Sequence, residues 1–461
     1  MAGFCLKFAA LVLGMGGLSM DKPMRTLVAL GMVAALALPL LVPHGYWLGP
    51  AWLAGLGAAA LLGRPWYTCK TSLRLNRRDW MLMAVLMLQA LVPLGMALYH
   101  QTPWPVSWLL LPPVLAVLGF VALSTWPPRV AWLWVGPALA GMGLGAWALG
   151  QKLSGVDRAE GFAPLHAILF GNFSLLTGML CLSGVGWAWG RSRHFVCVAM
   201  LAMGAVGGIL ASVFSGSRGG WVALPLILLV FYRSFLRWMP RCVRWVCLSG
   251  VVVLLAGCYL LPQTGVQARI DLAVSGVQHY LAGEQEGSRS VSLRLEMWRG
   301  ALELVTSRPW LGHGEAGYMA GMEAQVAAGK LDHGVLQHRH AHSDMLDAWA
   351  KRGLPGLGAL LLLYVLPLWL FGGGLKHPDI TNRALATAGL LLPISFIDFG
   401  LTYGFMSYSV GTAIYCSWLT LIWSCYRCAP SEIVREQVSG RHKRYGEAPR
   451  AISYKRHISG R

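Results

Sequence analysis

Runs of roughly 20 apolar residues recur along most of this 461-residue chain, and their length constrains the fold more than any single residue does. A backbone inside a bilayer must satisfy its own N–H and C=O groups, which leaves helices and closed barrels. The inside–outside alternation of a barrel strand is absent. The expectation is therefore an all-α polytopic membrane protein. Composition agrees: 56% of residues are hydrophobic and 12% charged, against about 25% charged in a soluble domain. The apolar windows give about 12 transmembrane helices, near residues 25–43, 46–63, 80–99, 105–124, 130–149, 166–189, 195–214, 219–236, 246–262, 355–374, 384–402 and 407–425.

Lys and Arg in short loops set the orientation. One set of loops holds Lys22 and Arg25, the cluster from Arg64 to Arg78, Arg129, Arg191 and Arg193, the cluster from Arg233 to Arg244, and Lys376 with Arg383. The basic tail falls on the same side, so both termini are expected in the cytoplasm. The net charge of +19 follows from this bias, and nucleic acid is not an expected partner. The resulting division is transmembrane helices 1–9 over residues 1–262, an external loop domain over 263–354, helices 10–12 over 355–426, and a basic cytoplasmic tail over 427–461. None of the 10 cysteines lies between residues 263 and 352, so no disulfide-stapled external domain is expected. Cys425 and Cys428 form a CxxC without a partner pair, a weak zinc signal.

Some charges break this pattern. In "SVFSGSRGGWVALP", Arg218 sits at the external end of a span, between glycines. A cation in or beside a bilayer costs about 3 kcal/mol unless it is paired or faces a polar cavity. Glycines here let the backbone bend and let an anion approach closely. The external loop adds Arg269, Arg289, Arg294, Arg299, Arg308, Lys330 and Arg339, and Arg294 shares a helix face with Trp298. Singly these are solvated charges. With Arg218 they suggest a pocket for a phosphate or pyrophosphate, which arginine binds bidentately.

The same loop ends in "LQHRHAHSDMLDAWAKRGLPG", where His338, His340 and His342 alternate. Ser343 has the position of a helix N-cap, and Gly353 with Pro355 that of a stop. His342 would then precede the helix, where the dipole favours neutral imidazole, the form a general base requires. If the helix began earlier, His338 and His342 would share a face. Three readings compete: a metal site drawing on Asp332, His333 or Asp344; a structural cluster; and a base acting on an anionic substrate.

Three stretches in order resemble the O-antigen ligase and polymerase superfamily of bacterial envelope glycan transferases. "SGSRGG" resembles its mid-chain arginine, "SLRLEMWRGALELVTSRPWLGHGEAGY" its R-x-x-x-W, Pro and G-x-G pattern, and "HAHSDMLDAWAKRGLPG" its histidine signature, with Ser343 where Asn is common. The resemblance implies a GT-C-like fold with one long, partly helical periplasmic loop, in a bacterial inner membrane. It also implies an inverting O-antigen ligase: glycan moves from undecaprenyl pyrophosphate to lipid A–core oligosaccharide, with no metal and no cofactor. His342 would be the base, His338 and His340 its rivals, and Arg218, Arg294 and Arg289 would hold the pyrophosphate. An O-antigen polymerase or a protein O-oligosaccharyltransferase would share these parts. More distant readings are a transporter of an anionic lipid-linked glycan, using Arg218 and Asp398, and a metal-dependent hydrolase.

Overall fold

Each apolar stretch singled out above coincides with a helix. The computed structural model describes residues 21–62, 75–101, 107–163, 165–189, 191, 194–217, 219–260 and 289–445, with isolated positions between 267 and 278. In chain order the helices are α1 (Asp21–Leu41), α2 (Leu48–Leu62), α3 (Arg77–Tyr99), α4 (Ser107–Thr125), α5 (Ala131–Leu153), α6 (Ala167–Trp189) and α7 (His194–Ser215). There follow α8 (Leu224–Ser234), α9 (Arg241–Leu260), α10 (Arg289–Ser307), α11 (Gly314–Ala327), α12 (Asp344–Gly372), α13 (Ile380–Thr402) and α14 (Ser409–Tyr445). Among the described residues, eight helical stretches are long and apolar enough to cross a bilayer, and α2 and α4 are shorter apolar helices. The chain is an all-α, multi-pass membrane protein.

Helix association in lipid depends on close packing, because tails are as apolar as leucine. The sequence supplies small residues where helices meet. Gly141 and Gly145 of α5 face Gly204 and Gly207 of α7, and a Cβ at Gly141, Gly145 or Gly207 would overlap the facing backbone. The most enclosed helix is α13, buried along most of its length. Its Ala384, Ala386, Ala388 and Gly389 let α6, α12 and α14 crowd against it. Its far end delivers Tyr403 to the site described below.

The chain between α9 and α12 builds a second, smaller core. Met297, Ala301, Leu304 and Val305 of α10 pack on Tyr318 and Met322 of α11, then on Val335, Ala341 and Ala350. The apolar periodicity of α10 predicts this face. Two differences from expectation stand out. Gly353 does break the helix, with φ +62°, but helix resumes at once, so α12 continues from this module into the membrane core. And α14 runs to Tyr445, through the first part of the segment expected as a tail.

The Gly353 break is an interlock between two motifs. A Cβ there would overlap the Trp310 carbonyl, and one at Gly312 would lie 2.6 Å from the Gly353 nitrogen. His313 N–H donates to the Ala350 carbonyl (2.9 Å) and Leu354 N–H to that of Pro309 (3.0 Å). The glycines of "WLGHG" and "KRGLPG" thus let two backbones touch.

Candidate functional site

Ser343 caps α12, its hydroxyl accepting from the Leu346 N–H, and this places the three histidines in the turn just before the helix. His342 adopts φ +50°, a left-handed conformation uncommon for a side chain of this size. The turn gathers the imidazoles: His338 and His342 have ring centroids 4.4 Å apart, as do His340 and His342. The rings pack against one another instead of converging on a point. Among the described residues no group of three His, Cys, Asp or Glu side chains is arranged to hold a metal ion.

The rings are not equivalent. Nδ1 of His340 accepts the His342 backbone N–H (3.2 Å), and its Nε2 meets the Tyr408 hydroxyl (3.3 Å). Both its nitrogens are therefore engaged. His342 keeps a buried Nδ1 with no hydrogen-bond partner among the described residues. Burial drives the His342 pKa down to about 3, helped by His340, His338 and Arg294. His340 falls to about 4, chiefly by burial, and His338 is lowered by burial and by Arg294. The three rings are therefore neutral near pH 7.

Arg294 stands one turn before Trp298 on α10, and the Trp298 indole N–H reaches the His342 carbonyl at 3.5 Å. Half-burial lowers the pKa of its guanidinium, though not enough to discharge an arginine. The Arg289 side chain and all of Arg218 lie outside the described residues. The residues on either side of position 218 are held in place. After α7, Gly216 turns with φ +65°, and a 3-10 turn over Gly219–Trp221 leads into α8. Asn172 of α6 fastens it: its Oδ1 accepts from the Ser217 hydroxyl (3.3 Å) and from the Gly220 N–H (3.2 Å). Arg158, from the loop after α5, donates Nε to the Ser215 carbonyl (2.9 Å).

A buried charge knot holds the histidine turn in place. Lys351 pairs with Asp347 (3.0 Å) and Glu315 (2.8 Å) and donates to the Arg339 carbonyl (2.7 Å). Asp347 accepts from the Ala341 N–H (3.2 Å) and from the Ser407 hydroxyl (2.9 Å). Asp344 accepts from the Met406 N–H (2.8 Å). These bonds dock the histidine turn on the 403–408 loop. There the Tyr403 ring meets those of His340 and His342 edge to face, with centroids 4.9 Å apart in each case. Its hydroxyl bonds that of Tyr408 (2.8 Å) and Nε2 of His166 (2.9 Å). A cavity of about 850 Å³ opens beside His338 and His340, walled by α3, α4, α11 and the 407–409 segment.

Residues 203–361 match a family model described as O-antigen ligase. An uncharacterised protein of Haemophilus influenzae is 28% identical over 217 residues, 45% of this chain and 52% of the relative. The chain thus aligns with about half the length of that relative. The matched segment carries all six residues expected as base or pyrophosphate ligands, and the structure brings His338, His340, His342 and Arg294 together.

Several residues of the site escaped sequence reading. Asn172, Arg158, His166, Tyr403 and Tyr408 lie outside residues 203–361 and in no motif. Asp347 and Lys351 offered a faint signal, an acid and a base four apart on one helix face. Chemically, the site offers a desolvated neutral imidazole with a free nitrogen beside a fixed cation. That pairing suits proton removal next to a bound anion.

Proposed function

We propose that this chain is an O-antigen ligase. It would move glycan from undecaprenyl pyrophosphate to lipid A–core oligosaccharide at the periplasmic face of the inner membrane, with both termini in the cytoplasm. The observation that carries the reading is His342: its imidazole is neutral, has a free Nδ1 and lies beside Arg294 in a family segment of this class.

In the reaction the acceptor hydroxyl oxygen attacks the anomeric carbon opposite the pyrophosphate. The new C–O bond forms as the bond to the pyrophosphate breaks, and that electron pair leaves with the carrier lipid. The hydroxyl proton passes to His342, and the anomeric configuration inverts. Pyrophosphate is already a good leaving group, so the protein's task is to position it and balance its charge. Arg218 and Arg294 serve that task, with Arg289 a third. A pKa of about 3 would by itself make His342 a feeble base. Donor binding corrects this, because pyrophosphate charge nearby favours imidazolium and raises the pKa towards ambient pH. The base is thus strengthened only when the donor is present.

The test is transfer in vitro from an undecaprenyl-pyrophosphate-linked glycan to purified lipid A–core, using wild type, His342→Ala and Arg218→Ala. Wild type should transfer, and both variants should lose most of the activity. Normal transfer by both variants would overturn the proposal. If wild type lengthens the glycan on its carrier and leaves the core lipid untouched, the chain is a polymerase.

A further inference from the structure

His340, Tyr408, Tyr403 and His166 form a continuous hydrogen-bonded chain assembled from three separate segments. Both imidazoles are locked in one tautomer. Nδ1 of His340 accepts the His342 N–H, and Nδ1 of His166 accepts the Ile168 N–H at 3.3 Å. A neutral imidazole with an accepting Nδ1 carries its proton on Nε2. Burial lowers the pKa of both rings, so both are neutral. Each end of the chain is therefore a donor pointing inward.

Four N–H or O–H protons then serve three contacts. One phenol proton has no partner inside the chain. Tyr403 is buried, and a surplus hydroxyl proton there would be unsatisfied at a cost of about 1–3 kcal/mol. Tyr408 is only half-buried and lines the cavity. The stable arrangement has Tyr403 donating to Tyr408, and Tyr408 turning its own proton into the cavity.

The cavity itself indicates what would accept that proton. Its lining carries three carboxylates, Glu315, Glu323 and Asp347, and three cations, Arg339, Lys351 and Arg352. Lys351 and Arg352 are already engaged with Glu315. Charge balance of this kind suits an oxygen-rich, polyhydroxylated ligand better than a pyrophosphate. Its volume falls in the range of small-molecule sites.

We propose that the acceptor sugar occupies this cavity beside His338. Tyr408 would donate a hydrogen bond to one of its oxygens, with His166 as the positioning residue that fixes the direction of that donation. The inference rests on the ligase reading above.

The direction can be reversed by substitution. His166→Glu places an acceptor where a donor stood. Tyr403 then donates to Glu, Tyr408 donates to Tyr403, and the cavity loses its donor without any change at Tyr408. Steady-state transfer to lipid A–core at varied acceptor concentration reads this out. Tyr408→Phe should raise the acceptor KM about tenfold, leaving the donor KM and kcat near wild type. His166→Glu should do the same, and the double variant should be no worse than either single one. A merely structural role predicts additive losses and a fall in kcat. Thermal unfolding in detergent establishes that each variant is folded; if Tyr408→Phe is not, His166→Glu alone carries the test. An unchanged acceptor KM, or a rise in donor KM instead, overturns the inference. A wild type that never transfers to core lipid overturns the ligase reading itself.

Discussion

At the scale of the residue, His342 combines two properties that oppose stability. Its backbone is left-handed at φ +50°, a strain on the order of 1–3 kcal/mol. Its imidazole is buried without a partner for Nδ1. Substitution separates strain from chemistry. Both His342→Ala and His342→Gly should lower the rate of glycan transfer by about 10²–10⁴, the usual worth of a general base. Yet His342→Gly should be the more stable of the two by roughly 1 kcal/mol, since glycine accepts positive φ freely; unfolding in detergent would measure this. Acid should act through the same cluster. His340 and His342 titrate near 4 and 3 when folded, against 6.5 unfolded. Between those values the unfolded chain binds more protons, so stability is full above about pH 6.5 and declines as pH falls. Melting temperatures from pH 7 to pH 4 should decline less steeply in a His340→Asn variant than in wild type.

Among the elements, the loop between α7 and α8 shows how one side chain can bridge the two flanks of a turn. Asn172 bonds Ser217 and Gly220, the residues one before and two after Arg218. Asn172→Leu keeps the volume and removes both bonds, at about 1 kcal/mol each. The expected outcome is a donor KM raised tenfold or more, with acceptor KM unchanged; a variant with wild-type donor KM would show that the loop holds itself. This division also explains what could be read from sequence. The Ser343 cap and the Gly353 break were legible because each depends on residues within one turn of helix. Arg218 was legible as a cation where topology expects none. Asn172, His166 and Tyr403 were not, because packing alone brings them in: the bond from Tyr403 to His166 spans 237 positions. That the helix ending at Gly353 and the span starting near residue 355 join as one kinked helix was not legible, for a similar reason. The docked "WLGHG" backbone turns a stop signal into a kink.

For the whole molecule, the candidate site motifs occupy one segment and their support lies before and after it. Residues 203–361 carry the histidines and arginines, whereas α6 supplies Asn172, the residue just before α6 is His166, and the loop after α13 supplies Tyr403 and Tyr408. Those outer helices must themselves be held, and a buried polar group at the opposite end of the bundle does so. Asp79, at the start of α3, is fully buried and accepts from Arg427 (2.8 Å) and from the Trp423 indole (2.8 Å), both on α14. It also caps its own helix through Asn76. An ion pair in such a place contributes little beyond an apolar pair of equal volume, because both charges lost their water. Breaking it from one side is another matter, since Arg427→Leu leaves a carboxylate with no cation and no route to solvent. We expect Arg427→Leu to cost about 3–5 kcal/mol, and the double variant Asp79→Leu with Arg427→Leu to recover much of that loss. Unfolding of the four proteins in detergent closes the cycle. The folded fraction of each should transfer glycan at the wild-type rate, because the pair touches none of the residues around His342. Additive losses would show that α3 and α14 depend on the charges for more than each other, and a fall in specific activity would show that the last helix also positions the tyrosine loop.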